Sequence, residues 1–132
     1  MSEINVKYTG DLRTQSIHLD SGDVITTDAP KDNNGLGRKF SPTDLVASSL
    51  GSCLLTIMGI VAKRHQIDMI GSHARIKKTM SENPRRISNI DVDIFMKENL
   101  NDKDINILKN ASKHCPVHNS LSENMDIKIN FR

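Results

Sequence analysis

The sequence has few cysteines, no excess of charge of one sign and no long uninterrupted hydrophobic run. Eighteen basic and sixteen acidic residues are interspersed and give a net charge of +2. A protein that binds nucleic acid or a membrane surface is expected to concentrate its basic residues in a patch, so neither partner is predicted. The longest apolar stretch, Leu45 to Ala62, is interrupted by four serine and threonine residues and closed by Lys63-Arg64. We expect it to be too polar and too short to cross a bilayer.

The first twenty residues lack an apolar block behind a basic start, which predicts no secretory signal and a cytoplasmic protein. The two cysteines, Cys53 and Cys115, are therefore expected in a reducing compartment. Paired thiols there are more often catalytic or redox-active than permanently crosslinked. A length of 132 residues predicts a single domain over residues 1–132, with a core large enough to fold without disulfides.

Short strands separated by turns are predicted in the N-terminal part of the chain. Hydrophobic alternation and turn residues place them at Ile4–Tyr8, Leu12–Leu19 and Val24–Thr27. A loop rich in proline, asparagine and glycine is expected at Ala29–Lys39.

A long helix is predicted after this loop. Ser41 is a suitable N-cap, Pro42 suits the first helical position, and Asp44 stands where a capping box places an acidic residue. From Leu45 to about Arg64, apolar residues occur on every side of the helix, which indicates burial in a core or an interface. One small sheet cannot cover such a helix on all sides, so we expect an obligate homodimer.

Two further strands, a second helix, a short helical turn after Pro116 and a final strand are predicted in the C-terminal part. Their expected ranges are His73–Met80, Arg86–Met96, Asn101 to His114, Pro116 to Leu121 and Met125–Phe131. The order is βββ-α-ββ-α-β. Strands that meet in hairpins, with helices on one side, predict an α+β fold with an antiparallel sheet rather than a parallel α/β fold.

Cys53 lies in the middle of the long helix. It can be read simply as a small buried hydrophobic residue. Helix dipoles act at helix ends, and apolar burial raises the pKa of a thiol, so nothing near Cys53 in sequence activates it. A reactive Cys53 therefore requires a cation from elsewhere in the chain, and arginine is the obvious supplier.

Cys115 precedes Pro116, which pushes it out of helical geometry and favours an N-cap position for the thiol. This position is expected to favour a thiolate. A structural role at a joint between helices is the alternative. Cys115 and His118 also have the spacing of two metal ligands, but a structural zinc site needs about four. Only Cys53, His114 and scattered histidines could complete the set, so no metal is predicted.

Taken together, the two cysteines match a two-cysteine thiol peroxidase. In this chemistry one thiolate attacks the O–O bond of a hydroperoxide and becomes a sulfenic acid. A second thiol condenses with the sulfenic acid to form a disulfide, which an external dithiol then reduces.

The sequence resembles the OsmC/Ohr family of osmotically inducible and organic-hydroperoxide-resistance proteins. The resemblance covers nearly the whole chain and is clearest in two segments, FSPTDLVA at residues 40–47 followed by LGSC at 50–53, and Cys115-Pro116 ahead of a closing amphipathic strand. It implies an intertwined homodimer in which sheets wrap around two long central helices. It also implies that Cys53 is the peroxidatic cysteine and Cys115 the resolving one, with organic or fatty-acid hydroperoxides as substrates, a dithiol as reductant, and no metal, haem or flavin.

The resemblance further implies an arginine that stabilises the thiolate and the departing alkoxide. Arg13, after the turn that begins at Tyr8, is the preferred match, and Arg38 is the alternative. A glutamate that would hold this arginine is missing, because Thr43 stands at its position with Asp44 beside it. Asp44 is a possible replacement, although capping of the helix is the simpler role for it. The loss of this carboxylate is expected to weaken the peroxidase activity, because the arginine is then held less firmly.

Two other functions remain open on the same scaffold. One is binding of an apolar or acyl ligand without catalysis, which the missing glutamate favours. The other is redox sensing, in which the same disulfide forms with slow turnover and changes a partner or the shape of the protein.

Overall fold

The computed structural model describes residues 1–132 and divides into two compact units, Met1–Val46 and Ala47–Arg132. The first unit carries an antiparallel sheet of three strands, β1 (Ile4–Gly10), β2 (Arg13–His18) and β3 (Val24–Asp28), in the order β1-β2-β3. All three strands were predicted. A single domain over the whole chain stays a prediction.

The turn between β1 and β2 fixes where β2 begins. Asp11 and Leu12 both have positive φ angles, 54° and 60°, as a two-residue hairpin of type I′ requires. This tight connection makes Arg13 the first residue of β2 and places it directly opposite Asp28, the last residue of β3.

Helix α1 (Pro42–Arg64) contains 23 residues. The chain buries one stripe of it, at spacings of three and four residues: Ala47, Leu50, Gly51, Leu54, Met58 and Ala62. Other apolar residues of the helix are covered less, and Ile60 is 46% exposed. Within one chain, α1 is therefore buried on one side only.

The prediction that this segment is too short and too polar to cross a bilayer was wrong. An 18-residue window of α1 has a mean hydropathy of 2.0, because the interrupting serines and threonines are uncharged and glycines and alanines cost little. The core helix of a globular protein meets the same two criteria, so length and hydropathy are weak evidence for a membrane span.

The second unit carries a sheet in the order β4-β5-β6, formed by β4 (His73–Ser81), β5 (Arg86–Phe95) and β6 (Asp126–Phe131). Helices α2 (Asp102–Ser112) and α3 (Pro116–Ser120) connect β5 to β6. Strands β4 and β5 are antiparallel, but β6 runs parallel to β5. The α+β class is confirmed, whereas the antiparallel arrangement was wrong for β6, because the α2–α3 segment returns the chain to the starting end of the sheet.

The core of the second unit combines β5, α1 and α2. Residues Ile90, Val92 and Ile94 are completely buried, as the alternation in β5 predicted. Gly51 marks a close approach of α1 to β4, since a Cβ atom at this position would lie 2.2 Å from Cδ1 of Ile76. The orientation of α1 in this unit is therefore set by close packing along the buried stripe.

Candidate functional site

Cys53 is held by α1, next to the stripe that packs into the second unit. Its neighbours Gly51 and Leu54 are buried, and Cys53 itself is half-buried with a free thiol. Because packing fixes the rotation of α1, the direction of the Cys53 side chain is fixed as well. Cys53 is thus less buried than Cys115, and a nucleophile needs some access to solvent in order to meet a substrate.

Cys115 occupies the break between α2 and α3. It is completely buried and forms the N-cap of α3, with Pro116 at the start of the helix, as predicted. Its backbone is extended (φ −76°, ψ 115°), and its sulfur accepts a hydrogen bond from the backbone N–H of His118 at 3.4 Å. A proline break and a capping contact therefore determine where this thiol lies.

The two cysteines are brought together within the second unit. The side chain of Cys53 is near enough to raise the pKa of Cys115 by hydrogen bonding, and both cysteines are free rather than joined in a disulfide. Two residues 62 positions apart in sequence thus lie near enough for their thiols to interact. This arrangement allows a disulfide to form between them after oxidation of either sulfur.

The pKa of the Cys115 thiol is raised above its ordinary value. Burial is the main cause, and the hydrogen bond with Cys53 adds to it. The backbone N–H groups of His118 and Val117 lower the pKa by less. The expectation that the N-cap position would favour a thiolate at Cys115 was wrong, because loss of hydration outweighs the hydrogen bonds from α3. Cys115 is therefore a protonated thiol at neutral pH, and its S–H group can donate to the sulfur of Cys53.

Arg13 and Asp28 form a charged pair across two strands of the first unit. Nε of Arg13 lies 2.6 Å from Oδ1 of Asp28, and Nη2 lies 3.4 Å from Oδ2. The Asp28 side chain is 1% exposed, whereas that of Arg13 is 32% exposed. The carboxylate is thus buried beneath a guanidinium that still reaches the surface of this unit.

The ion pair shifts the pKa of each group in the direction that keeps the group charged. The hydrogen bond from Arg13 lowers the pKa of Asp28 against the opposing effect of burial, and the same bond raises the pKa of Arg13. The backbone N–H of Arg38 also donates to Oδ2 of Asp28 at 3.0 Å. Both arginines proposed from the sequence therefore meet at Asp28, Arg13 through its side chain and Arg38 through its main chain.

Asp44 caps α1. Its Oδ2 accepts a hydrogen bond from the N–H of Ser41 at 3.0 Å, and the Ser41 hydroxyl accepts one from the N–H of Asp44 at 3.1 Å. This reciprocal pair is a capping box. The structure thus gives Asp44 the helix-capping role, and the alternative role of holding an arginine stays a prediction.

No group of three or more histidine, cysteine, aspartate or glutamate side chains is arranged to hold a metal ion. The contact of His118 with Cys115 comes from its backbone N–H, which is a helix-capping interaction rather than metal coordination.

Asp28 is the site residue that the sequence analysis missed. The predicted strand ended at Thr27 and the predicted loop began at Ala29, so Asp28 was given neither an element nor a partner. The sequence does contain a signal for Asp28. The tight turn at Asp11-Leu12 makes Arg13 the first residue of β2, and the start of β2 pairs with the end of β3. That register brings an arginine opposite an aspartate and predicts a cross-strand ion pair.

Comparison with known proteins gives the following relatives. The family model described as OsmC-like protein matches residues 34–130. The chain is similar to the crystal structure of a candidate osmotic stress induced and detoxification response protein from Psychrobacter arcticus 273-4. The two are 45% identical over 100% of this chain and 96% of that chain, with a TM-score of 0.94.

Two more distant structures share the fold. An OsmC like protein from Mycoplasma pneumoniae is 21% identical, over 100% of this chain and 96% of that one, with a TM-score of 0.84. An organic hydroperoxide resistance protein OsmC from Legionella pneumophila, also described as a redox protein, is 16% identical. The match covers 99% of this chain and 96% of the Legionella chain, with a TM-score of 0.78. No curated protein matches the sequence.

Proposed function

The chain belongs to the OsmC-like protein family, and we propose that it is a thiol peroxidase that reduces organic or lipid hydroperoxides. The observation that carries this proposal is the interaction between the thiols of Cys53 and Cys115, which lie far apart in sequence. The family and its relatives support a redox or peroxidase-like role in general. The substrate, the steps and the role of each residue are parts of the proposal.

The proposed reaction begins at Cys53, the less buried of the two cysteines. Its thiolate attacks one oxygen of the hydroperoxide, the O–O bond breaks, and an alkoxide leaves and takes up a proton to become the alcohol. Cys53 is left as a sulfenic acid. Cys115 then attacks this sulfur, water leaves, and a disulfide joins the two residues. An external dithiol reduces the disulfide by exchange and is itself oxidised to a disulfide.

The buried, protonated state of Cys115 supports its assignment as the resolving thiol. A protonated thiol is a poor nucleophile towards peroxide, so Cys115 does not compete with Cys53 for the substrate. Its thiol already interacts with the thiol of Cys53, and this proximity lowers the entropic cost of forming the disulfide.

The proposal also includes Arg13 as the cation that stabilises the Cys53 thiolate and the departing alkoxide. Charge developing on an oxygen or sulfur is stabilised best by a donor that is already fixed in place. The side chain of Arg13 is fixed by Asp28, whereas Arg38 contacts Asp28 through its backbone N–H alone. We therefore prefer Arg13 over Arg38 in this role.

We further propose that the protein works as a homodimer in the cytoplasm. The first unit exposes a row of apolar side chains along β1, with Ile4, Val6 and Tyr8 each about three-fifths exposed. Apolar surface of this kind on a soluble domain marks an interface. Two free thiols are the state expected in a reducing compartment.

The proposal is tested by the mass of the intact protein after one equivalent of cumene hydroperoxide. We expect the wild type to lose the mass of two hydrogen atoms, as a Cys53–Cys115 disulfide requires. The Cys115→Ser variant should instead gain one oxygen that dimedone traps, and Cys53→Ser should remain unchanged. A Cys53→Ser variant with wild-type turnover would overturn the proposal.

Two other outcomes identify the competing functions. A disulfide that forms without sustained turnover in the presence of a dithiol indicates a redox sensor. A protein that forms neither a sulfenic acid nor a disulfide, and binds an apolar ligand instead, indicates a binding protein. Both outcomes contradict a peroxidase.

A further inference from the structure

We propose that Asp28 is a positioning residue that holds the Arg13 guanidinium in the orientation used for the reaction. This inference rests on the proposed function, since it assumes that Arg13 acts on the Cys53 sulfur. It concerns a residue that lies outside the thiol pair and far from it in sequence. Asp28 itself is not expected to touch the substrate.

The first argument is the burial of the Asp28 carboxylate. An ionised carboxylate that is removed from water is strongly destabilising unless charges and hydrogen bonds replace its hydration. Asp28 is 1% exposed, and both of its oxygens are engaged, Oδ1 by Nε of Arg13 and Oδ2 by Nη2 and by the N–H of Arg38. A group with so many fixed partners has one orientation.

The second argument is the geometry of the guanidinium. Asp28 binds the edge formed by Nε and Nη2, which uses two of the five N–H groups that an arginine carries. The remaining three point away from the carboxylate, and the side chain is 32% exposed. Two parallel hydrogen bonds fix the plane of the group as well as its position. Arg13 is thus held along one edge, and its opposite edge is available to a developing anion.

The third argument separates Arg13 from Arg38. The contact of Arg38 with Asp28 uses the backbone N–H, which every residue except proline could supply. The contact of Arg13 uses the guanidinium itself. Asp28 therefore orients the charged group of Arg13 and leaves the side chain of Arg38 without this constraint. The same carboxylate joins the loop at Arg38 to β2, so the arginine and the loop are held together.

Replacement of Asp28 by asparagine keeps its size but removes its charge. One carboxylate oxygen becomes an NH2 group that faces an N–H donor. An NH2 group at the Oδ1 position loses the bond from Nε of Arg13, and one at the Oδ2 position loses the bonds from Nη2 of Arg13 and from the N–H of Arg38. A guanidinium released in this way no longer presents its donors at a fixed place. Loss of one preorganised donor typically costs about 100-fold to 1,000-fold in rate, so we expect Asp28→Asn to lower kcat/KM for cumene hydroperoxide by at least about tenfold.

The test is a double-mutant cycle with Asp28→Asn, Arg13→Gln and the double variant. If Asp28 acts through Arg13, Asp28→Asn lowers kcat/KM in the wild-type background and has little further effect in the Arg13→Gln background. An equal loss in both backgrounds shows a merely structural role and overturns the inference. Asp23→Asn, the same substitution at an exposed residue of the first unit, is the matched control, and thermal unfolding verifies that each variant is folded.

A second readout does not depend on peroxidase activity. In a Cys115→Ser background, Cys53 is the remaining thiol, and its rate of alkylation by iodoacetamide at neutral pH reports its thiolate fraction. We expect Asp28→Asn and Arg13→Gln to lower this rate together. A faster rate in Asp28→Asn would mean that Asp28 only offsets the charge of Arg13, and would contradict positioning. If the wild type does not reduce hydroperoxides while the alkylation rates still follow this pattern, the proposed function fails and the positioning role stands.

Discussion

At the scale of single residues, Asp28 is the carboxylate that depends most on its surroundings. Folding removes it from water, and the side chain of Arg13 together with the N–H of Arg38 replaces its hydration. Because these partners lower its pKa in the folded state, Asp28 ties the stability of the protein to pH. The effect has a definite direction.

The pH dependence follows from linkage. A carboxylate whose pKa is lower in the folded than in the unfolded state contributes stability above the unfolded value of about 3.9, and loses that contribution as the pH falls through the folded value. We therefore expect Asp28→Asn to melt below the wild type at neutral pH, and the two melting temperatures to converge below about pH 4. Thermal melts followed by circular dichroism from neutral to acidic pH measure this difference. A gap that stays constant down to the lowest pH would show that the Asp28 charge does not contribute.

Residue-level prediction from sequence succeeds where the determinants are local. The capping position of Cys115 follows from Pro116 immediately after it, and the capping box at Ser41 follows from spacing within one turn. The Arg13–Asp28 pair depends on the register of a sheet, which sequence does not specify by itself. The pKa of Cys115 depends on burial by distant elements, and for this reason its direction was predicted wrongly.

The same limit applies to the carboxylate that was expected near Cys53 in sequence. The missing glutamate at Thr43 suggested an arginine without a partner. The structure supplies a carboxylate from β3 instead of from α1. The only replacement considered from the sequence was Asp44, because the search was confined to residues just before the cysteine.

At the scale of elements, α1 shows what hydropathy can and cannot predict. Its length and start were evident from the cap and the apolar residues, but those residues lie on every side and do not identify the buried stripe. The stripe is determined by contact with β4, where Gly51 meets Ile76. The direction of β6 could not be predicted from hydrophobic alternation either. Alternation indicates which residues share a face of the sheet, and it does not indicate which way a strand runs.

The contact at Gly51 gives a prediction for the stability of the second unit. A methyl group on Gly51 would lie 2.2 Å from Cδ1 of Ile76. Overpacking costs about 1–3 kcal/mol, which exceeds the gain of about 1 kcal/mol from replacing a helical glycine by alanine. We expect Gly51→Ala to lower the free energy of unfolding measured by urea denaturation.

The matched variant removes the atom that causes the clash. Ile76→Val deletes Cδ1 and by itself costs about 0.5–1.5 kcal/mol. In combination with Gly51→Ala the loss should be smaller than the sum of the two single losses by about 1 kcal/mol, as expected for residues in contact. Additive losses would show that α1 moves away from β4 rather than packing against it.

At the scale of the whole molecule, the surface that one chain leaves uncovered supports self-association. Ile4, Val6 and Tyr8 lie on one face of β1 and are 63%, 59% and 64% exposed. In α1, Ile60 is 46% exposed although it lies in the most apolar helix of the chain. A second copy of the chain is the simplest partner for apolar surface that occurs on both units.

The homodimer is tested with two lysine substitutions at neighbouring residues. Val6→Lys places a charge on the apolar face of β1, and Asn5→Lys places the same charge on the opposite face. Burial of an unpaired charge opposes association, so we expect Val6→Lys to raise the dimer Kd by at least about tenfold, which corresponds to about 1.4 kcal/mol. Light scattering measures the mass, with Asn5→Lys as the control. A wild type that is monomeric at micromolar concentration would contradict the dimer.

The separation of the two cysteines along the chain has a consequence for synthesis of the protein. Cys115 lies in the segment that connects β5 to β6, and it leaves the ribosome 62 residues after Cys53. In the proposed reaction, Cys115 is the thiol that converts the Cys53 sulfenic acid into a reversible disulfide, and during that interval the nascent chain lacks it. A sulfenic acid that finds no thiol can be oxidised onward to irreversible acids. Under oxidative stress, unfinished chains would therefore be damaged at Cys53 more readily than the completed protein.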